Sequence, residues 1–257
     1  MSFFVITAII LYFTAAVLYF LRRRKLFIPF FVVAWVINCA LVGQEWVSSG
    51  QPPFKSMYHV FVFMGCVSMP LYGVLAGRHR LRWLTPLLPL AGGMPLGAAL
   101  LFKTNTLWRL APALQSPWFV PHVAAYMISY SLALIAFILL LMTFATRLTA
   151  KWSAHTVKFE KGSYELISLA FPLMTFGLFS GALWANQAWG DYWSWDPKEV
   201  WALITWTLYL IYFHCRKSSK LRGYVNLVHL LAFTALLATF LIVNLYPKLS
   251  SALHSYV

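Results

Sequence analysis

Residues 184–206 read WANQAWGDYWSWDPKEVWALITW. Six of the chain's twelve tryptophans lie in this stretch, beside three acids and one base. A dense indole surface with a few charged groups suits a large planar ligand with a polar rim. It equally suits an aromatic belt at the level of lipid headgroups. Which applies depends on where the stretch sits relative to a membrane.

The flanking sequence sets that frame. Of the 257 residues, 61% are hydrophobic and 10% charged, and the mean hydropathy is +0.73. Such a chain is a polytopic membrane protein. Eight apolar stretches are long enough to cross roughly 30 Å of hydrocarbon as helices. They are placed at 3–21, 27–44, 57–76, 83–102, 122–145, 164–185, 197–215 and 224–245. The expected fold is therefore all-α, a single integral membrane domain over 1–257, with 184–206 as its tryptophan-rich segment. The loops leave no room for a soluble domain. The first stretch lacks a basic leader and a small-residue cleavage site, so it is expected to be a retained helix.

The net charge of +14 reflects topology, not nucleic-acid binding. Fifteen of the twenty Lys and Arg fall in alternate loops, around Arg22–Lys25, Arg78–Arg82, Arg147–Lys161 and Arg216–Arg222. The other side has Lys55, Lys103, Arg109, Lys198 and Lys248. By the positive-inside rule the basic loops are cytoplasmic, and both termini and the tryptophan-rich loop lie outside. Membrane lipid is the surrounding partner. The basic segment 146–163 is expected to be a loop along the headgroups, and the Pro- and Gly-rich fourth stretch a kinked or tightly packed helix.

Local chemistry adds detail. Asp196, Pro197 and Glu199 have the spacing of a capping box opening the seventh helix. Trp184–Trp195 is then expected to be irregular or interfacial. Cys39, Cys66 and Cys215 fall in or at the ends of apolar stretches without a CxxC pair, and read as small apolar residues. Histidines are the strong metal ligands on offer. His122 and His254 fall on the outer side with the tryptophans. Together they could supply both axial ligands to a haem iron; singly, each reads as an interfacial residue. His79 and His155 lie in basic loops, whereas His59, His214 and His229 lie within or at the edges of spans. No phosphate loop, HExxH, GxSxG or dinucleotide fingerprint occurs, and the scarcity of mid-span acids argues against an ion pump.

The form WGxYWxWDPKE resembles the tryptophan-rich "WWD" signature of haem-handling membrane proteins. With GQPPFKSMY, LQSPWFVPHV and VNLYPKLSSALHSYV, the chain most resembles the CcsA/ResC family of system II cytochrome c biogenesis. The resemblance implies export of haem b, its presentation on the outer surface and its covalent attachment to apocytochrome c CxxCH motifs. That holocytochrome c synthase activity belongs to a complex with a CcsB/ResB partner, in a pathway that includes a thioredoxin-like thiol reductase. His122 and His254 match the family's outer iron ligands, and His214 its ligand within the membrane. Trp184, Trp189, Trp193, Trp195, Trp201 and Asp196 match the presenting segment. His59 stands where the family carries an acid. A bacterial cytoplasmic membrane is expected, ahead of a thylakoid. The alternatives are a CcmC-like protein delivering haem to a chaperone, a non-catalytic docking anchor, or an unrelated small-molecule transporter.

Overall fold

A computed structural model describes residues 2–54, 56–78, 80–102, 115–148 and 153–242. Among the described residues the chain is all-helical, with eight α-helices and no strand. It divides into two compact units, Met1–Leu110 and Ala111–Val257.

The first unit holds α1 (Ser2–Phe20), α2 (Arg24–Ser49), α3 (Met57–Gly77) and α4 (Leu88–Ala99), the last preceded by a 3-10 turn, Arg82–Leu87. On α1 the buried residues Val5, Ala8, Tyr12, Ala15 and Ala16 recur at helical spacing. The Tyr12 hydroxyl donates to the Gly65 carbonyl of α3 at 3.1 Å. A Cβ on Gly92 would lie 2.9 Å from the Tyr12 ring, so this glycine lets α4 sit against α1. α2 ends at Gly50, whose φ of 65° is the left-handed cap that returns its N–H to Trp46 O. At the start of α3, His59 is buried between Ser56 Oγ (2.7 Å from Nδ1) and Glu45 of α2 (3.5 Å from Nε2).

The second unit holds α5 (Phe119–Leu148), α6 (Ser153–Trp189), α7 (Pro197–Lys217) and α8 (Val225–Leu237), the last continued by a wider π turn, Ala238–Ile242. α5 and α6 form its most extensive pair. α5 meets α8 through Phe137 and Phe233, stacked at 4.0 Å. α7 meets α6 through Trp206, which stacks on Phe171 at 5.4 Å and donates to Thr175 Oγ1 at 2.9 Å. Tyr209 and Tyr212 of α7 turn toward His229 of α8, their rings 6.1 and 5.3 Å from its own. His229 is buried, whereas His155 is exposed.

Among the described residues, six segments are long and apolar enough to cross a membrane: α1, α2, α3, α5, α6 and the α8 region Arg222–Leu241. α4 is short, at 12 residues, because its prolines and the 3-10 turn break the apolar run; α7 is amphipathic. Two expectations are corrected. The basic segment before the sixth stretch is not a loop throughout, because α6 starts at Ser153. There Glu160 accepts from Arg147 of α5 at 2.7 Å and from Asn226 of α8 at 3.1 Å, so helical polar residues are paired across elements. Trp184 and Trp189 are likewise helical, in the last turns of α6, and the irregular stretch shrinks to 190–196. The three cysteines are free, and only Cys215 is fully buried.

Candidate functional site

The tryptophan-rich segment is a tight reversal between α6 and α7. Gly190, at φ 90°, ends α6, and Trp195, at φ 60°, turns the chain into α7. A large side chain in the left-handed region costs roughly 1–2 kcal/mol, so the turn has to be held by its neighbours. The expected capping box does this. Glu199 N–H donates to Asp196 Oδ1 at 2.8 Å, and Glu199 Oε2 accepts from the N–H groups of Asp196 and Ser194 at 3.3 and 2.8 Å. Replacing Asp196 with Ala is expected to cost about 0.5–2 kcal/mol. Proteolysis within 190–196 should accelerate while cleavage elsewhere in the folded protein is unchanged.

The indoles form a graded surface. Trp184 is buried, Trp189 and Trp193 are partly covered, and Trp195 and Trp201 are exposed, at 70% and 38%. Trp184 lies 5.1 Å from Trp189, and Trp193 lies 6.0 Å from Trp195, edge to face. Among the described residues the buried Trp193 indole nitrogen has no hydrogen-bond partner, an unmet donor.

His122, at the start of α5, lies beside this surface. Its ring is 5.5 Å from Trp184 and 5.0 Å from Tyr126. Nδ1 is 2.8 Å from the Gly177 carbonyl. A carbonyl can only accept, so Nδ1 carries the proton and the lone pair is on Nε2, the tautomer a metal requires. Gly177 and Gly181 form a GxxxG pair on α6, the first leaving room for the Tyr126 ring and the second for the His122 ring. A Cβ on Gly181 would be 2.7 Å from His122 Cε1.

His214, at the far end of α7, is exposed. It shows the same chemistry, with Nδ1–H donated to Leu210 O at 2.8 Å. The structure thus groups His122 with Trp184 and Trp189, and Asp196 with the turn carrying Trp193 and Trp195. It places His214 four turns along α7 from Trp201. His254 and His79 lie outside the described residues. Sequence reasoning missed Gly177 and Gly181; the GxxxG spacing was the available signal.

The fold and the turn define a helical multi-pass membrane protein with a tryptophan-rich reversal between two of its helices. The family model for cytochrome c assembly proteins matches residues 1–250, and the chain belongs to that family. Similar proteins include the cytochrome c biogenesis protein CcsA of Pinus thunbergii, 33% identical over 88% of this chain and 85% of that protein. The CcsA proteins of Gossypium hirsutum and Guillardia theta are each 31% identical. These alignments cover 93% and 88% of this chain, and 86% and 83% of those relatives.

Proposed function

We propose that this protein carries haem b to the outer face of its membrane and presents it there for covalent attachment to apocytochrome c, working with a CcsB/ResB-type partner. The observation that carries the reading is His122, locked by Gly177 in the metal-binding tautomer beside Trp184. His254 supplies the second outer ligand; the proposal includes an eight-span topology in which α4 and α7 also cross, which would put both termini and both histidines on the tryptophan side. His214 holds haem nearer the basic loops, with its other ligand from the partner.

Indole faces cover the porphyrin and exclude water, each contact contributing on the order of 1 kcal/mol. Trp193 N–H is a donor for a haem carboxylate, and Asp196 keeps the turn in shape. A CxxCH segment then brings its thiols to the vinyl groups. Each S–H adds across a vinyl C=C, sulfur forming the C–S bond and hydrogen going to the other carbon. In this reading the chain contributes position and dryness. The thiols are kept reduced by a thioredoxin-like partner. The same account holds in a bacterial cytoplasmic membrane, which we favour, and in a thylakoid.

Visible absorption of the purified complex tests this reading. A low-spin haem spectrum is expected, with separate components lost in His122→Ala and His214→Ala. A haem-free complex that still binds its partner would sink the proposal and favour a docking anchor.

A further inference from the structure

α2 and α3 come close at one level, and two thiols meet there. Gly65 of α3 permits the approach: a Cβ on it would collide with the side-chain amide of Asn38 on α2, which is fully buried. Trp35, one turn earlier on α2, donates its indole N–H to the Cys66 carbonyl at 2.8 Å. The residue after Asn38 and the residue after Gly65 are both cysteines. Cys39 and Cys66 lie within hydrogen-bonding reach of each other, thiol to thiol. No CxxC spacing announces this pair; the packing of two helices makes it.

The thiols also have a definite depth. At 1.5 Å per residue, Cys39 is about 22 Å along α2 from Arg24 and about 15 Å from Ser49. Cys66 is about 14 Å along α3 from Met57 and about 17 Å from Gly77. Both helices are long and apolar enough to cross a membrane, so the pair belongs near mid-hydrocarbon. Neither thiol is sealed away. Both cysteines are half-buried, and Val36 and Ala40 of α2 and Pro70 of α3, within about a turn of them, are exposed.

A lone cysteine in such surroundings is a small apolar residue. Two thiols in contact are a donor of two electrons and two protons. A disulfide needs closely approaching backbones, and the contact of Asn38 with Gly65 supplies that approach one residue from each sulfur. The depth selects the oxidant. Glutathione and thioredoxin-type proteins stay in water, whereas a lipid-soluble quinone dissolves in hydrocarbon and accepts two electrons with two protons.

We propose that Cys39 and Cys66 form a redox site in the first unit, oxidised by membrane quinone to a disulfide that staples α2 to α3. Two S–H bonds break and one S–S bond forms. The two protons and two electrons pass to the quinone, whose carbonyl oxygens become the hydroxyls of a quinol. The site does not depend on the haem-handling reading above.

The full chain, reduced and reconstituted without oxygen in liposomes, is given a short-tailed benzoquinone. After an acid quench and unfolding, free thiols are alkylated and counted by mass spectrometry, while quinol is followed by absorbance. Of the three thiols, two should be lost together, with one quinol formed per chain. Digestion should yield a reducible link between the peptides that hold Cys39 and Cys66. Cys39→Ser and Cys66→Ser should each lower quinol formation to that of empty liposomes, and Cys215→Ser should behave as wild type. The peptide link in the unsubstituted chain decides the matter even where a serine variant fails to fold.

Three free thiols after quinone treatment would overturn the proposal. So would quinone bonded to a single sulfur, a link between two copies of the chain, or a disulfide that forms only when oxygen is admitted.

Discussion

His122→Gly should abolish covalent cytochrome c assembly while leaving the protein in the membrane, and added imidazole should restore it. Loss of an outer partner of a metal ligand alone typically costs about 10–100-fold in affinity; losing the ligand should cost at least that. Glycine is the informative replacement because it leaves a ring-sized space. That space is bounded by Trp184, Tyr126 and Gly177 O, which contact the native ring. Free imidazole can occupy it with one nitrogen donating to the carbonyl and the other toward iron. Rescue would establish ligation. Loss of protein from the membrane, uncorrected by imidazole, would assign His122 to folding.

The second large effect should come from one added methyl group at a position that is not a ligand. Gly181→Ala would put Cβ 2.7 Å from His122 Cε1 and 2.8 Å from Nδ1, closer than real atoms approach. The ring must move and give up its bond to Gly177 O. Overpacking of this kind costs about 1–3 kcal/mol, which lowers haem affinity at this end about tenfold or more. The His214-dependent spectral component should be unaffected. Gly97→Ala is the control, since nothing lies within 4 Å of a Cβ there. An unchanged outer-site affinity in Gly181→Ala would show that the placement of the ring by the α5–α6 seam is dispensable.

Features encoded within a few residues were legible in the sequence, and features encoded across helices were not. The Asp196–Glu199 box could be read because cap and partner are three residues apart. The tryptophan turn could be read because its composition is local. The relation between His122 and Trp184 was inferred only as a shared side of the membrane; its tightness depends on Gly177 and Gly181, some sixty residues from the histidine. The start of α6 was missed because Lys158, Glu160 and Lys161 read as solvated, and only the fold brings Arg147 and Asn226 to Glu160. His59 stood as an unexplained departure until α2 brought Glu45 beside it. His214 was legible as an imidazole at the end of an apolar stretch, but its exposure required the packing of α7.

The main-chain carbonyls that grip His122 and His214 have a thermodynamic consequence. A carbonyl inside a helix is fixed in place, so each imidazole is oriented by the fold itself, with no ligand needed to set it. If the proposed function holds, rings set in advance in this way have little freedom to be remodelled by a cargo and so little means of storing the free energy of one step to drive the next. Net outward flow would then be drawn by consumption, because haem that has formed two carbon–sulfur bonds cannot return.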